Sequence, residues 1–471
     1  MAKELGATEK DLINERVKKI AKIGKLGFAA YPSKSKKSYS NKRIHEIKEE
    51  LLSSGQDIYL SGRVSALRGH GKLIFADLID ESGKIQIIFK ADKMSDKEFQ
   101  LVSLIDLGDF IEAKGSLFIT NSGELSLECK KLQILTKALR PFPLEWYGLK
   151  DVETKYRDRY LDLALNPEVK EKFVLRSKII ESLRQFLLEK GFLEVDTPTL
   201  QPIAGGASAK PFSTHYNAYD RDVFLRIAPE LYLKRLLIGG FEKVFEFARC
   251  FRNEGADAAH NPEFTLLEFY IAYADYEQLM DLTEEMIRFV TKAINNDKLK
   301  IEIAAPGQRP SGSATDRRID FSKKFKRVTF DKLTGGKKSD EEFKATLSKL
   351  IEPTFVTNHP TELIPLAKRN EKNPKVVDSF QLVINGVELI KAFSELNDPV
   401  DQRRRFEEQA KLRQKGDEEA QPMDEEFLRA LEYGMPPAAG WGMGVDRFVK
   451  VLTDSKTLRE ILFFPFMKPE K

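Results

Sequence analysis

The sequence predicts an α+β protein in which a small N-terminal β-barrel precedes a larger domain with an antiparallel sheet flanked by helices. Five short apolar runs, separated by turn residues, lie close together in the N-terminal part of the chain. The longer C-terminal part contains strand-like runs and amphipathic helices without the strict alternation of a doubly wound fold. These two observations determine the predicted fold class.

The composition indicates a globular chain long enough for more than one domain. It has 471 residues, of which 41% are hydrophobic and 32% charged, a balance typical of folded proteins. No apolar run approaches the ~20 residues of a membrane helix, and residues 1–20 lack the apolar core of a signal peptide. We therefore expect a cytoplasmic protein without membrane association.

Positive charge is concentrated in residues 1–50, which we predict to be a basic N-terminal helical segment. They contain 13 Lys and Arg residues against 7 Asp and Glu residues, in a chain whose net charge is +4. Residues 10–24 show helical spacing of their apolar side chains, namely Leu12, Ile13, Val17, Ile20 and Ile23. The basic surplus fits either a solvated tail or a segment that contacts phosphates, and the sequence leaves both open.

Residues 51–137 are predicted to form the barrel. Its five strands would be IYLSGRV, KLIFADLID, KIQIIF, DFIEAKGSLF and LSLECKKLQIL, with hairpin-type connections at 81–84 and 120–124. A five-stranded barrel of this size fits an OB-fold, whose strands and loops often hold single-stranded nucleic acid. Other small barrels would show a similar pattern, so OB is one alternative among several.

A Pro-rich segment then separates the barrel from the remainder of the chain. We predict a linker over 138–163 and the larger domain over 164–471. In that domain a helix ends at Gly191, a second helix is expected from about Tyr276 to Asn295, and 436–454 predicts a glycine-rich turn followed by a helix.

Arginines and carboxylates are the candidate functional residues. The five histidines show no catalytic-triad or zinc spacing, and GWGMGVDR matches neither a P-loop nor a dinucleotide fingerprint. Arg252 and Arg447 could bind phosphate or stack on a base, and three of the four glutamates at 230, 268, 388 and 395 lie in mainly apolar runs. Each residue alone also fits an exposed position. Together they favour a phosphate-containing substrate, Mg²⁺ and electrostatic catalysis.

The motifs taken together resemble those of class II aminoacyl-tRNA synthetases. GFLEVDTPTL (191–200), FRNEG and HNPEFTLLE within 251–268, and GMGVDR within 440–454 are similar to motifs 1, 2 and 3, in order. Longer blocks, such as APELYLKRLLIGGFEKVFEFARCFRNEG and FSELNDP, resemble the lysyl-tRNA synthetase family within the aspartyl, asparaginyl and lysyl subclass. The resemblance covers nearly the whole chain.

This resemblance implies ATP-dependent ligation of L-lysine to tRNA(Lys) through a lysyl-adenylate, with release of AMP and pyrophosphate. It implies an OB-fold anticodon-binding domain, a class II catalytic domain, a homodimer, and Mg²⁺ bound with ATP. The catalytic residues would be Arg252 and Arg447. The ATP-binding positions would be Arg252, Glu254, His260, Asn261, Phe264, Glu388, Gly444 and Arg447.

The same resemblance implies two further sets of binding residues. Those around the lysine substrate would be Gly206, Glu230, Arg252, Glu268, Tyr270, Lys391, Phe393 and Glu395. A lysine pocket needs such anionic groups because the substrate presents an ε-ammonium. The anticodon-reading positions would be Arg68, Phe75 and Gln86, although Phe75 also fits an ordinary barrel core.

Two positions depart from the family pattern. Gln381 stands where a glutamate usually shares Mg²⁺ with the residue matching Glu388, and Lys391 stands where an asparagine usually contacts the substrate. A neutral amide is a weaker ligand for a hard cation, so Gln381 is a doubtful metal ligand and the number of ions stays open. Three alternatives therefore stand beside lysine ligation to tRNA: an aspartyl or asparaginyl enzyme, a lysine ligase acting on a protein, and a catalytically silent RNA-binding paralogue.

Overall fold

The computed structural model describes residues 7–142, 151–257, 260–295, 298–303, 315–417 and 419–469. These residues form two units, 7–142 and 151–469. In the described part of the chain, every helix is too short or too polar to cross a membrane.

The first unit is built around a closed five-stranded barrel, as predicted. Its elements are α1 (Ala7–Lys25), α2 (Asn41–Glu46), α3 (Lys48–Ser54), β1 (Ile58–His70), β2 (Leu73–Asp80), β3 (Gly83–Lys90), α4 (Asp96–Val102), β4 (Phe110–Ile119) and β5 (Leu125–Thr136). The strand order around the barrel is β1-β2-β3-β5-β4. Ile20 and Ile23 of α1 pack on the barrel core, whereas Leu12 and Val17 are exposed, so only the second half of this helix docks.

The second unit contains a large mixed sheet with helices on both faces. Its helices are α5 (Val152–Arg157), α6 (Arg159–Leu165), α7 (Pro167–Glu189), α8 (Glu230–Ile238), α9 (Tyr276–Ala293), α10 (Phe330–Thr334), α11 (Asp340–Thr346), α12 (Pro399–Gln414), α13 (Glu425–Glu432) and α14 (Val445–Leu452). Its strands are β6 (Leu193–Glu194), β7 (Leu200–Gln201), β8 (Ser213–Tyr216), β9 (Arg221–Leu225), β10 (Lys243–Phe251), β11 (Glu263–Ala272), β12 (Lys298–Ile303), β13 (Thr315–Asp320), β14 (Lys326–Thr329), β15 (Thr354–Thr357), β16 (Ser379–Ile384), β17 (Val387–Ser394) and β18 (Ala438–Gly444).

The main sheet has eight strands in the order β14-β15-β16-β17-β18-β11-β10-β6. Its six central strands pair antiparallel, and the two outer pairs, β14 with β15 and β10 with β6, are parallel. Smaller sheets combine β7, β9 and β8, and β12 with β13. The predicted α+β class, with an antiparallel sheet flanked by helices, is confirmed.

One face of this sheet forms the main hydrophobic core with α7, α9 and α14. Alternate strand residues such as Phe269 and Trp441 point into it, and their rings stack with centroids 4.6 Å apart. The intervening residues, among them Tyr270 and Phe393, therefore point to the opposite face. The helices α8, α12 and α13 pack against that face. This alternation decides which side chains are available for chemistry.

The glycine-rich turn predicted at the start of 436–454 is wrong, because residues 438–444 form the central strand β18. Ala439, Trp441 and Met443 alternate with glycines and fill the core face. Glycine is rare inside strands because it packs no side chain, so its presence here marks a close approach from the other face.

The last part of the segment predicted as a linker lies against the second unit. Arg159 of α6 is buried, and its guanidinium donates to Asp162 and to the backbone carbonyls of Arg459, Leu462 and Phe463. These bonds hold α6 to the C-terminal segment.

Burial of Trp441 yields a stability prediction. Its indole Nε1 donates to Thr283 Oγ1 at 2.9 Å in the core. Thr283→Val removes this acceptor and should lower the free energy of unfolding by about 1–3 kcal/mol, since a buried N–H is left unpaired. Urea unfolding followed by circular dichroism measures the change.

Thr291→Val is the matched control, because Thr291 is equally buried on α9 and its hydroxyl bonds only to carbonyls of its own helix. We expect a smaller loss for this variant. Equal losses for the two variants would show that the bond to Trp441 adds no stability.

Candidate active site

A row of polar residues crosses the face of the sheet that is turned away from the main core. Strand pairing places Glu246 opposite Glu268, Glu268 opposite Gly442, Gly442 opposite Lys391, and Lys391 opposite Gln381. Directly paired residues share one face. The register thus brings Glu268, Lys391 and Gln381 to one surface, although 113 positions separate Glu268 from Gln381 (381 − 268).

After Ala438, the strand β18 contributes only glycines to this surface. A Cβ on Gly440 would lie 2.0 Å from Glu395 Oε1 and 2.4 Å from the Tyr270 ring. A Cβ on Gly442 would lie no closer than 3.5 Å to Glu268. Position 440 therefore requires glycine, because Glu395 and Tyr270 approach its backbone closely. The three glycines at 440, 442 and 444 leave a trough between the side chains of the flanking strands.

A β-bulge brings Glu388 onto the same surface. Leu382 pairs with Ile390 but Val383 pairs with Glu388, so Leu389 is an extra residue in β17. Leu389 and Ile390 both lie in the main core, while Glu388 stays on the site face with Lys391. The local sequence contains no signal for this bulge, and strict alternation would have placed Glu388 and Lys391 on opposite faces.

Three buried glutamates and a tyrosine form an acidic pocket at one end of the trough. Glu230, Glu268 and Glu395 are buried, and Tyr270 donates to Glu268 Oε2 at 3.2 Å. Lys234, which the sequence analysis missed, places its Nζ 2.7 Å from Glu230 Oε1 and 2.5 Å from Glu395 Oε2. Glu395 Oε1 is buried without a hydrogen-bond partner among the described residues.

Burial and mutual repulsion shift the protonation of this pocket. Burial, followed by repulsion from Glu230, raises the pKa of Glu268 well above its usual range. Burial also raises the pKa of Glu395 to about 8, although the Lys234 ammonium opposes the change. The pKa of Tyr270 rises for the same reasons, burial first and then Glu230. These shifts favour the protonated forms of the pocket, and an added cation would favour the ionised forms.

Gly206 and Phe393 border the pocket, as predicted from the resemblance. Gly206 has φ +87° and a Cβ there would lie 3.0 Å from the Cβ of Glu230, so both conformation and space favour glycine. Phe393 is buried, with its ring centroid 5.6 Å from Lys234 Nζ.

Arg252 lies just beyond β10, beside the first residues of β11. Its backbone N–H donates to the Pro262 carbonyl at 2.9 Å, and its guanidinium carbon lies 5.1 Å from the Phe264 ring centroid. Its Nε is buried and has no hydrogen-bond partner in the described part of the chain. Burial lowers the pKa of Arg252, while Glu254, which is exposed, opposes that change. An unpaired N–H of this kind is suited to an anionic ligand.

Arg447 and His260 contact each other across the trough. Arg447 Nη2 donates to His260 Nε2 at 3.2 Å, and His260 Nδ1 in turn donates to Asp257 at 3.0 Å. Asn261 is turned away, because its amide donates to the Glu263 carbonyl at 2.6 Å. Gly444 is the N-cap residue of α14, and a Cβ there would lie in ordinary contact with Arg447, no closer than 3.6 Å.

Asp446 is a buried anchor that the sequence analysis missed. It accepts from Arg176 Nη2 at 2.7 Å and from the Thr265 backbone at 2.9 Å. These bonds connect α14, α7 and β11, so they fix the start of the helix that carries Arg447.

The side chain of Gln381 is hydrogen-bonded on both sides and supplies no carboxylate beside Glu388. Gln381 Nε2 donates to Glu388 Oε1 at 3.3 Å, and Gln381 Oε1 accepts from His359 Nε2 at 3.0 Å. Burial, with a contribution from Lys391, lowers the pKa of His359 to about 3, so the imidazole is neutral. Over the described residues, His, Cys, Asp and Glu side chains form no group of three that could hold a metal ion.

The three predicted anticodon positions share the outer face of the barrel. Arg68 pairs with Phe75 across β1 and β2, and Asp77 pairs with Gln86 across β2 and β3. Asp77 holds Arg68 in an ion pair of 2.9 Å, and Gln86 is bonded to Ser126 and Glu124. Phe75 alternates with the core residues Ala76 and Leu78, so the alternative of an ordinary barrel-core position is wrong.

Comparison with known proteins matches both units of the chain. Residues 151–468 match the family described as tRNA synthetases class II (D, K and N). Residues 58–135 match the OB-fold nucleic acid binding domain, which confirms the OB-fold for the barrel.

Relatives cover almost the full length. The lysine–tRNA ligase of Moorella thermoacetica is 46% identical, over 98% of this chain and 99% of the relative. That of Carboxydothermus hydrogenoformans is 44% identical over 98% of each chain, and one from Clostridium perfringens is 41% identical over all of this chain and 98% of the relative. The chain therefore belongs to the lysine–tRNA ligase family of class II aminoacyl-tRNA synthetases.

Proposed function

We propose that this enzyme ligates L-lysine to tRNA(Lys) with ATP, through a lysyl-adenylate. The observation that carries the proposal is the acidic pocket of Glu230, Glu268 and Glu395, in which Glu268 shares a sheet face with Gly442 and Lys391. Buried carboxylates are costly unless a cation neutralises them, and L-lysine supplies two ammonium groups. An aspartate or asparagine substrate would leave this negative charge uncompensated.

In the first step the lysine carboxylate attacks the α-phosphate of ATP, forming the acyl–phosphate bond while pyrophosphate leaves. Two anions must approach each other, and Arg252 is placed to contact both. Its unpaired Nε supports this assignment, because a donor that is already ordered needs no reorganisation as charge develops.

The ATP would lie along the glycine trough. Phe264 and Arg447 would contact the two faces of adenine, and His260 and Glu254 would lie near the phosphates, with Gly444 allowing close approach. Asn261 joins this set once its amide leaves the Glu263 carbonyl. Lys391, at the centre of the row, would contact the substrate between Glu268 and the nucleotide.

Mg²⁺ would accompany ATP and neutralise phosphate charge. Of the two predicted ligands, Glu388 offers a carboxylate, whereas Gln381 turns its amide nitrogen toward Glu388 and is excluded as a ligand in this arrangement. Glu388 is therefore the residue of this pair that would hold an ion.

In the second step the lysyl group passes to the terminal adenosine of tRNA(Lys), releasing AMP. We assign anticodon binding to the barrel within 51–137, with Arg68, Phe75 and Gln86 as contacts, and catalysis to 164–471. Polar and aromatic side chains on the outer face of a barrel suit unstacked RNA bases. A homodimer and a cytoplasmic location stay predictions.

Substitution of Arg252 tests the proposed activity. Arg252→Gln removes the charge and should lower lysine charging of a tRNA(Lys) transcript by about a thousandfold or more. The control is Arg249→Gln, on the same strand, where an exposed arginine pairs with Glu263 at 3.3 Å, and it should charge at close to the unaltered rate. An unaltered protein that binds the transcript but transfers no lysine would favour the silent RNA-binding alternative.

Restoring a carboxylate at position 381 tests the metal assignment. Gln381→Glu places a second anion beside Glu388, so we expect half-maximal lysine-dependent pyrophosphate exchange at a lower Mg²⁺ concentration. Gln414→Glu adds the same charge on the exposed end of α12 and serves as the control. A Mg²⁺ profile identical in the Gln381 variant and the unaltered protein would rule this interpretation out.

A further inference from the structure

Lys234 is a fully buried lysine inside the pocket proposed to select lysine. It lies one turn after Glu230 on α8, and its ammonium touches Glu230 Oε1 at 2.7 Å and Glu395 Oε2 at 2.5 Å. The rings of Phe393 and Phe427 lie 5.6 and 6.0 Å from its Nζ. An ammonium without exposure is stable only where carboxylates replace its water.

The charged groups around Lys234 come from four elements. Glu230 lies on α8, Glu268 and Tyr270 on β11, and Glu395 directly after β17. Glu246 of β10 lies opposite Glu268, but it is already paired with Arg226 at 2.5 Å. Among the described residues the pocket thus contains three carboxylates and one ammonium, which leaves two formal negative charges without a cation inside the pocket.

L-lysine carries two ammonium groups, and its single carboxylate is assigned to Arg252. On the basis of the proposed lysine activation, we propose that Lys234 is a positioning and specificity-determining residue. Its ammonium orients Glu230 and Glu395 and cancels one of three carboxylate charges, so that the remaining two match the two ammonium groups of L-lysine.

The arrangement of Glu395 supports this proposal independently. Lys234 Nζ forms its ion pair with Oε2, while Oε1 lies beside the space left by Gly440. Both oxygens are buried and neither has a partner in hydrogen-bond geometry among the described residues, so Oε1 can accept from a substrate ammonium while Oε2 stays next to Lys234. Without Lys234, the Glu395 carboxylate could rotate and would face Glu230 with no intervening cation.

The pH dependence of lysine binding distinguishes a role of the Lys234 charge from a role in packing, because a change in packing alone would not alter it. Burial raises the pKa of Glu395 to about 8, and Lys234 is the group that opposes this rise. A bound cation favours the ionised pocket, so lysine affinity should increase with pH until Glu395 is ionised in the free protein. Removing Lys234 should raise the pKa of Glu395 further and move this limit to higher pH.

The experiment measures the dissociation constant of L-lysine by calorimetry between pH 6 and pH 8, where both ammonium groups of L-lysine stay largely protonated. In the unaltered protein, binding should tighten as pH rises. In Lys234→Met, binding should be weaker by about tenfold or more at pH 7.5 and should tighten more steeply between pH 7 and pH 8 than in the unaltered protein. Lys234→Gln removes the charge but keeps two N–H donors, so it carries the same test if the methionine variant does not fold.

Arg235→Met is the matched control, because Arg235 is the next residue on α8 and pairs with Asp424 and Glu426. It should lose stability without any shift of the pH profile. A Lys234 variant whose dissociation constant changes by the same factor at every pH would overturn the proposal, and so would pH-independent binding by the unaltered protein. Absence of lysine binding by the unaltered protein would instead overturn the proposed function.

Discussion

The burial of three carboxylates on one face of a β-sheet is the constraint on which the rest of the second unit depends. Glu230, Glu268 and Glu395 have little access to water, so each needs a cation or a proton. Lys234 supplies one positive charge, and the raised pKa values of Glu268 and Glu395 favour protonation of the carboxylates that it leaves uncompensated. A pocket whose carboxylates outnumber its cations in this way favours a ligand with more than one ammonium group.

The opposite face of the sheet makes this arrangement possible. Phe269 and Trp441 alternate with the site residues and fill a core closed by α7, α9 and α14, so the strands that carry the pocket are firmly packed. The glycines of β18 then remove side-chain bulk where Glu395 and Tyr270 approach most closely. Because successive strand residues point to opposite faces, the residues that stabilise the core are different from those that shape the site.

The sequence predicted the parts of the site that depend on short-range patterns. The five barrel strands, the long helices and the shared face of Glu268 and Tyr270 follow from apolar runs and alternation. His359 and Asp446 were missed because their partners lie far away in sequence. Lys234 was missed because its second partner, Glu395, is distant in sequence, although its first, Glu230, lies one helical turn away. The turn predicted before α14 was wrong because a glycine-rich strand lacks the usual propensity signal. The bulge at Leu389 could not be predicted because it depends on how β17 pairs with β16 while both Leu389 and Ile390 pack in the core.

The most direct test of the central claim is amino-acid-dependent exchange of pyrophosphate into ATP with lysine, norleucine, aspartate and asparagine. Norleucine has a side chain of similar length but no ε-ammonium. If the uncompensated carboxylates select the substrate, lysine should stimulate exchange strongly, norleucine only weakly, and aspartate and asparagine not at all. Equal stimulation by norleucine and lysine, or stimulation by aspartate or asparagine, would contradict this account.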